Sequence, residues 1–259
     1  VDSVFQTEQV PDAMSAWAAS YFFTMQIFCD FAGYSLCAIG TVKCLGFRLP
    51  FNFNSPMAAT GFSDYWTRWH ISLSTWLRDY LYFSLGGNRL GRSKTLRNLM
   101  LTMALGGLWH GAKWPVILWG IYHGVLLVSE RIIQDRIRLP AVLPGVLRTF
   151  LLRLMMMFFI VISFTIFRSE SIGQVGSLLA VMFGFTESEV SVLSWDMTFQ
   201  IAILASLALI TVQWIWNRKQ IIKVIENSNF LLRGLGLAAC VILIVLSTGQ
   251  SDGFIYFQF

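Results

Sequence analysis

The chain has 259 residues, 56% of them hydrophobic and only 13% charged, with a formal net charge of +5 and a mean hydropathy of +0.62. Soluble domains carry about 25% charged residues, so a water-soluble fold of this composition would lack a polar coat, and an integral membrane protein is expected. The excess positive charge falls in clusters between apolar runs, as in cytoplasmic loops, which argues against nucleic acid as the partner.

The opening VDSVFQTEQVPD has no initiator methionine, no basic n-region and no cleavage site, so it is not a signal peptide. It reads as a start inside a longer protein. A first apolar run, Met14 to Gly40, is interrupted by Asp30. A carboxylate there is expensive and needs a partner or a wet cavity, which makes Asp30 a candidate lining residue. Cys29, Cys37 and Cys44 lie in or beside this run and Cys240 lies far downstream. They form no CxxC pair and no histidine is spaced to complete a zinc site, so no metal is expected and the four are read as small buried apolar residues.

Residues 50–97 hold Arg68, Arg78, Arg89, Arg92, Lys94 and Arg97 and do not fit a simple span. From Ser63, taken as an N-cap, to the Gly86-Gly87-Asn88 stop, the spacing predicts one amphipathic helix lying at or dipping into the cytoplasmic interface. Trp66, Trp69, Leu73, Trp76, Leu77 and Tyr80 make its apolar side, and His70 shares the face of Trp66, Leu73 and Leu77. Arg78 and Asp79, being adjacent, are expected to point to different sides. Arg78, and Asn88 with Arg89 in the following loop, suit a donor phosphate or a solvated interfacial position.

The next apolar segment, Leu99 to Gly111, starts just after Arg97 and reaches His110 within about 20 Å of helix rise, short of a core about 30 Å thick. Pro115 suits the first turn of a new helix, and Gly106, Gly107 and Gly111 permit close backbone approach. The expectation is a helix that breaks near mid-membrane, with a partner starting at Trp114. Such a break is tolerated only when packed in protein or lining a cavity. On these residues alone, His110 is either a functional group or a structural histidine bonded between helices. The segment Trp114 to Val128 carries His123, deep but nearer the cytoplasm.

Further apolar segments follow at Val146–Phe167, Phe199–Trp216 and Phe230–Leu246, with a shorter stretch, Val175–Phe185, assigned to the interface. Lys43 and Arg48, then Arg131, Arg136, Arg138 and Arg148, then Arg218, Lys219, Lys223 and Arg233 fall in alternate connections, whereas residues 168–197 hold Arg168 against Glu170, Glu187, Glu189 and Asp196. The positive-inside rule places the basic connections in the cytoplasm and the acidic one outside.

The stretches QIFCDFAGYSLCAIG (26–40), GFRLPFNFNSP (46–56), YWTRWHISLSTWLRDYLYFSLGGNR (65–89), NLMLTMALGGLWHGAKW (98–114) and LWGIYHG (118–124), with the terminal FIYFQF (254–259), resemble the membrane-bound O-acyltransferases, within them the alginate O-acetylase branch. The resemblance implies an all-α, polytopic membrane fold around a central tunnel in a bacterial inner membrane. Residues 1–259 would form the C-terminal part of one such domain and would be inactive without the remaining walls. It implies that His110 is catalytic and that His70 approaches the same tunnel; from the residues themselves Arg78, Asn88, Arg89, Trp109, Asp30 and His123 are candidates for substrate contact, with packing the alternative for Trp109 and helix-to-helix hydrogen bonding the alternative for His123. It also implies a cytoplasmic acyl thioester donor such as acetyl-CoA, no further cofactor, an extracytoplasmic polysaccharide acceptor such as alginate, and a partner acetyltransferase protein in the membrane or periplasm. Peptidoglycan or another exopolysaccharide is the alternative acceptor.

The residues suit that chemistry. A neutral imidazole accepts the proton of an attacking hydroxyl or thiol. No serine sits in a GxSxG elbow, so a covalent serine enzyme is not expected. A transporter or scaffold, with its buried histidines and Asp30 on a proton or substrate path, is the non-enzyme alternative.

Overall fold

The computed structural model describes residues 1–6, 11–136, 144–186 and 191–246. All regular elements among them are helical: α1 (Asp2–Phe5), α2 (Ala13–Cys44), α3 (Phe62–Trp66), α4 (Ile71–Trp76), α5 (Arg92–His110), α6 (Trp114–Arg136), α7 (Gly145–Arg168), α8 (Ile172–Met182), α9 (Met197–Ile215), α10 (Arg218–Asn227) and α11 (Phe230–Leu246). Four are long and apolar enough to cross a membrane: α2, α6, α7 and α9. The protein is a polytopic helical membrane protein. Of the six expected crossings, Leu99–Gly111 proves to be the apolar end of a longer helix, α5, whose first turns carry Arg92, Lys94 and Arg97. Phe230–Leu246 forms α11, apolar but only 17 residues long. The terminal FIYFQF, Arg138, Glu187 and Glu189 lie outside the described residues.

Helix starts follow local chemistry. The carboxylates of Asp12 and Asp196 accept from the backbone N–H groups of Ser15 (2.7 Å) and Phe199 (2.8 Å), and Asn217 with Gln220 forms a reciprocal capping box at α10. Consecutive long helices fold back on one another, α5 on α6 and α6 on α7, whereas α2 and α9 run side by side in the same direction. At one end of the bundle the Trp17 indole N–H donates to the Met182 carbonyl (2.7 Å) and the Tyr21 hydroxyl to Ser206 (2.9 Å), tying the start of α2 to α8 and α9. At the other end the Trp214 indole donates to the Met57 carbonyl (2.7 Å) and Arg153 donates to the Trp214 carbonyl (3.1 Å), tying the start of α7 to the end of α9.

The continuous helix expected from Ser63 to Gly87 is instead broken in two places. Helix α3 begins after Gly61, and its cap is tertiary: the Glu130 carboxylate of α6 accepts from the N–H groups of Phe62 (3.1 Å) and Ser63 (2.8 Å) and from the Ser63 hydroxyl (2.7 Å). The chain then turns, and His70 adopts the left-handed conformation (φ 43°, ψ 55°) before α4. Past Trp76 the winding is π-helical over Leu77–Tyr82. These breaks turn Tyr65, Trp69, His70, Leu73 and Leu77 into the bundle, where all are buried, and leave Trp76 and Tyr80 exposed and stacked on one another. The segment therefore dips into the protein, with Trp69 packed on Phe28 of α2 and Phe164 of α7.

The expected break at His110 is present. Helix α5 ends there, and α6 restarts at Trp114. The two helices meet at glycines: a Cβ on Gly107 would stand 2.6 Å from the Val116 carbonyl oxygen and 3.1 Å from the Gly120 Cα, so only glycine lets the backbones approach this closely. The cysteines correct an expectation: all four are exposed, not buried.

Candidate active site

The three histidines converge. His70 comes from the turn before α4, His110 from the last turn of α5, and His123 from the middle of α6. The rings of His70 and His110 have centroids 6.4 Å apart. Trp119 lies edge-on to both remaining members of the series, 5.3 Å from His110 and 4.9 Å from His123. Phe167 of α7 closes the far side of His110 at 5.8 Å. Trp109 stands 4.9 Å from His110 and 6.4 Å from His70, yet its ring is mostly exposed. The outer face of Trp109 is thus uncovered beside the His70–His110 pair.

The environments of the three rings differ. His123 is 1% exposed and boxed by Tyr65, Trp66, Trp119 and Tyr122. His110 keeps partial exposure. His70 is 9% exposed, with Phe31 edge-on at 4.6 Å. Its Nδ1 lies 3.5 Å from the Ser72 hydroxyl, which donates to the Asn52 side-chain oxygen (2.6 Å). Asn52 in turn accepts the Ile71 N–H on its own carbonyl (2.9 Å) and donates its amide to Ser35 of α2 (3.3 Å). Asn52 thus joins α2 to the turn that carries His70. The indole N–H groups of Trp66 and Trp119 are buried without a hydrogen-bond partner.

The other candidates separate into near and far groups. Asp30 is half-buried on α2, next to the Phe31 that packs on His70. Arg78 does not diverge from Asp79. It donates to both oxygens of that carboxylate (2.7 and 3.2 Å), an exposed pair between adjacent residues within reach of the long Arg78 side chain. The Arg78 guanidinium holds the Asp79 carboxyl below its usual range. Arg78 also lines a cleft of about 220 Å³ that includes Trp66 and Arg131. Asn88 and Arg89 are exposed in the turn after the π-helical stretch, which buried Asn98 anchors through the Leu85 and Gly87 carbonyls (2.9 and 3.1 Å). Asn98 lies twelve residues before His110 on α5, about 18 Å of rise, so Asn88 and Arg89 are not part of the histidine cluster.

Comparison with known proteins decides the family. The profile of the MBOAT, membrane-bound O-acyltransferase family matches residues 6–173, which contain all three histidines. The chain belongs to the membrane-bound O-acyltransferase family. This family member is 47% identical over 176 residues to a probable alginate O-acetylase of Azotobacter vinelandii, covering 68% of the chain and 34% of that relative. It is 46% identical over 118 residues to a peptidoglycan O-acetyltransferase of Helicobacter pylori, covering 46% of the chain and 22% of that protein. It is 36% identical over 115 residues to a teichoic acid D-alanyltransferase of Bacillus subtilis, covering 41% and 29%. The chain spans about a third of the length of the alginate relatives it matches.

Sequence reasoning singled out His110 and His70 but passed over Trp119, Asn52 and Ser72. Trp119 and His123 are four apart on α6 and share a face, and that spacing was the available signal. Nothing in a linear reading pairs Asn52 with Ser72, twenty residues on.

Proposed function

We propose that the protein is an O-acyltransferase in which His110 is the general base, acting on an acceptor hydroxyl beside an acyl thioester. The carrying observation is the placement of His110 at a broken helix end, partly open, next to His70 and walled by Trp119 and Phe167, in a chain of this family. The His110 imidazole accepts the hydroxyl proton as the oxygen attacks the thioester carbonyl. The C–O bond forms, the C–S bond breaks, and the departing thiolate takes the proton from the imidazolium. His70, held by the Asn52–Ser72 link, fixes the second side of the site. The cleft bearing Arg78 and Arg131 leads to Trp66 and suits an anionic donor approaching from the basic face of the bundle.

The acceptor is a glycan hydroxyl. Alginate is the favoured polymer, because the alginate relatives match over 176–189 residues and the peptidoglycan relative over 118. The acetyl group moves from a cytoplasmic donor to the extracytoplasmic polymer, directly or through a partner protein, in a bacterial inner membrane. The test replaces His110 with Ala in the protein in its native membrane and measures O-acetylated polysaccharide alongside protein abundance. Near-normal acetylation at normal abundance would assign the ring a structural role and end this reading.

A further inference from the structure

A second site stands at the basic end of the bundle, away from the histidines. A polar pocket of about 440 Å³ lies where the start of α7, the end of α9 and the start of α10 meet, lined by Arg68, Arg153, Gln213, Arg218 and Lys219 among others. Among the described residues, Arg68 is the one of these cations in a close ion pair, with Asp64 at 2.7 Å. Arg153 spends one N–H on the Trp214 carbonyl and stacks over the Trp214 ring, while its buried Nε has no partner. Arg218 donates to the Phe53 carbonyl (3.3 Å) and lies 3.9 Å over the Phe51 ring, and its Nε is likewise buried and unpartnered. Gln213 is 7% exposed. Its side-chain oxygen must face the Met57 N–H it accepts (3.1 Å), which turns the amide nitrogen the other way, and that nitrogen has no partner. Three residues with orphaned donors, Arg153, Gln213 and Arg218, and the N-terminus of α10 therefore line one pocket. Buried donors left unmade are costly, and this set matches the oxygens of a phosphate.

What the phosphate is attached to follows from the neighbouring surface. An apolar groove of about 410 Å³ runs on from the pocket between α2, α9 and α10, sharing Ser55, Gln213 and Arg218 with it. Its walls include Phe28, Ile39, Leu209 and, from α10, Ile221, Ile222 and Ile225. Helix α10 sets these isoleucines on one face, with Arg218 at the pocket end of that face, and turns Lys219 and Lys223 away from it, the pattern of a helix lying at a membrane surface. The pocket thus stands at headgroup level and the groove at acyl-chain level. We propose that this is a specific binding site for an anionic glycerophospholipid, its phosphodiester held by Arg153, Gln213 and Arg218 and one acyl chain laid in the groove between α2, α9 and α10. Bound there, the lipid would fasten α10 and the end of α9 onto α2.

The test is native mass spectrometry of the protein purified from membranes, delipidated, and titrated with long-chain phosphatidylglycerol. One lipid is expected to be retained in preference to phosphatidylcholine. Arg153→Gln with Arg218→Gln should weaken retention by about tenfold or more, the scale of charge-assisted hydrogen bonds to a phosphate, whereas Lys94→Gln should not change it. Two measurements on the unaltered protein keep the idea testable if the double variant does not fold. A six-carbon-chain phosphatidylglycerol should bind at least tenfold more weakly than the long-chain form, and inorganic phosphate at millimolar concentration should not displace the lipid. Equal binding of short and long chains, displacement by phosphate, or no retained lipid would each overturn the proposal; the first two would mark a soluble-anion site, and the last a groove covered by protein.

Discussion

The three histidines are one residue type in three environments, and that contrast decides what each substitution should do. His110→Ala removes a partly open ring and should cut turnover by roughly 10²- to 10⁴-fold, the usual worth of acid–base catalysis, at near-normal protein yield. His70→Ala should also reduce activity, and Asn52→Ala should reproduce part of that loss, because Asn52 holds the turn through Ser72 and Ile71. His123 is boxed by four aromatic rings at 1% exposure. His123→Ala should therefore act mainly on stability, by about 2–4 kcal/mol as a large-to-small change in a packed site. Acetylated product and melting temperature measured on all four variants separate these outcomes; loss of activity in His123→Ala at unchanged melting temperature would move His123 into the chemistry. His110 was legible in the sequence because an ionisable group beside glycines in an apolar run stands out. Trp119 was not, since a tryptophan in a membrane segment is unremarkable until the α5–α6 fold-back sets it against His110.

At the scale of elements, boundaries were legible where local chemistry governs and hidden where tertiary contacts do. The break between α5 and α6 was predictable from Gly111 and Pro115. The break at His70 was not, because the spacing of Trp66, Trp69, Leu73 and Leu77 continues across it. What interrupts the helix is distant chain: Asn54 donates its N–H to the Arg68 carbonyl (3.0 Å) and Ile71 donates to the Asn52 carbonyl (2.9 Å), replacing helical bonds with loop bonds. Glu130 likewise supplies a cap that Ser63 was expected to provide. The α5–α6 pair tests how much the site depends on its scaffold. A Cβ on Gly107 would meet backbone atoms of α6, at Val116 and Gly120, which cannot swing aside. Gly107→Ala should cost about 1–3 kcal/mol through overpacking and should reduce acetylation by shifting His110 relative to Trp119. Gly111→Ala adds its methyl to open space and should leave the melting temperature within about 0.5 kcal/mol equivalent. Equal effects of the two substitutions would show that close helix approach does not hold the site.

At the scale of the whole molecule, charge alone suggests which helix ends lie on the same side, and the contacts among the described residues group those ends together. The basic ends of α2, α6, α7 and α9 carry Lys43, Arg131, Arg148 and Arg218 on or beside them. Contacts link that end internally, Glu130 to α3 and Arg153 to Trp214. The opposite end is linked by Trp17 to Met182 and by Arg168 to Asp2. What charge patterning left out was the inward dip of residues 56–77, because a stretch bearing Arg68 and Asp64 reads as interfacial; those two pair with each other at 2.7 Å and stay partly exposed while the aromatic side chains beside them are buried. If the positive-inside rule sets the orientation, Lys219 faces the cytoplasm and Glu170 faces outside. Cys29, Cys37, Cys44 and Cys240 are all exposed, so the test starts from a variant with all four replaced by serine. Single cysteines are then placed by Lys219→Cys and Glu170→Cys. In intact cells a membrane-impermeant maleimide should label position 170 and not position 219, and permeabilisation should add label at 219 without changing 170. Labelling of 219 in sealed cells would invert the orientation, and with it the side from which a donor could reach Arg78 and Arg131.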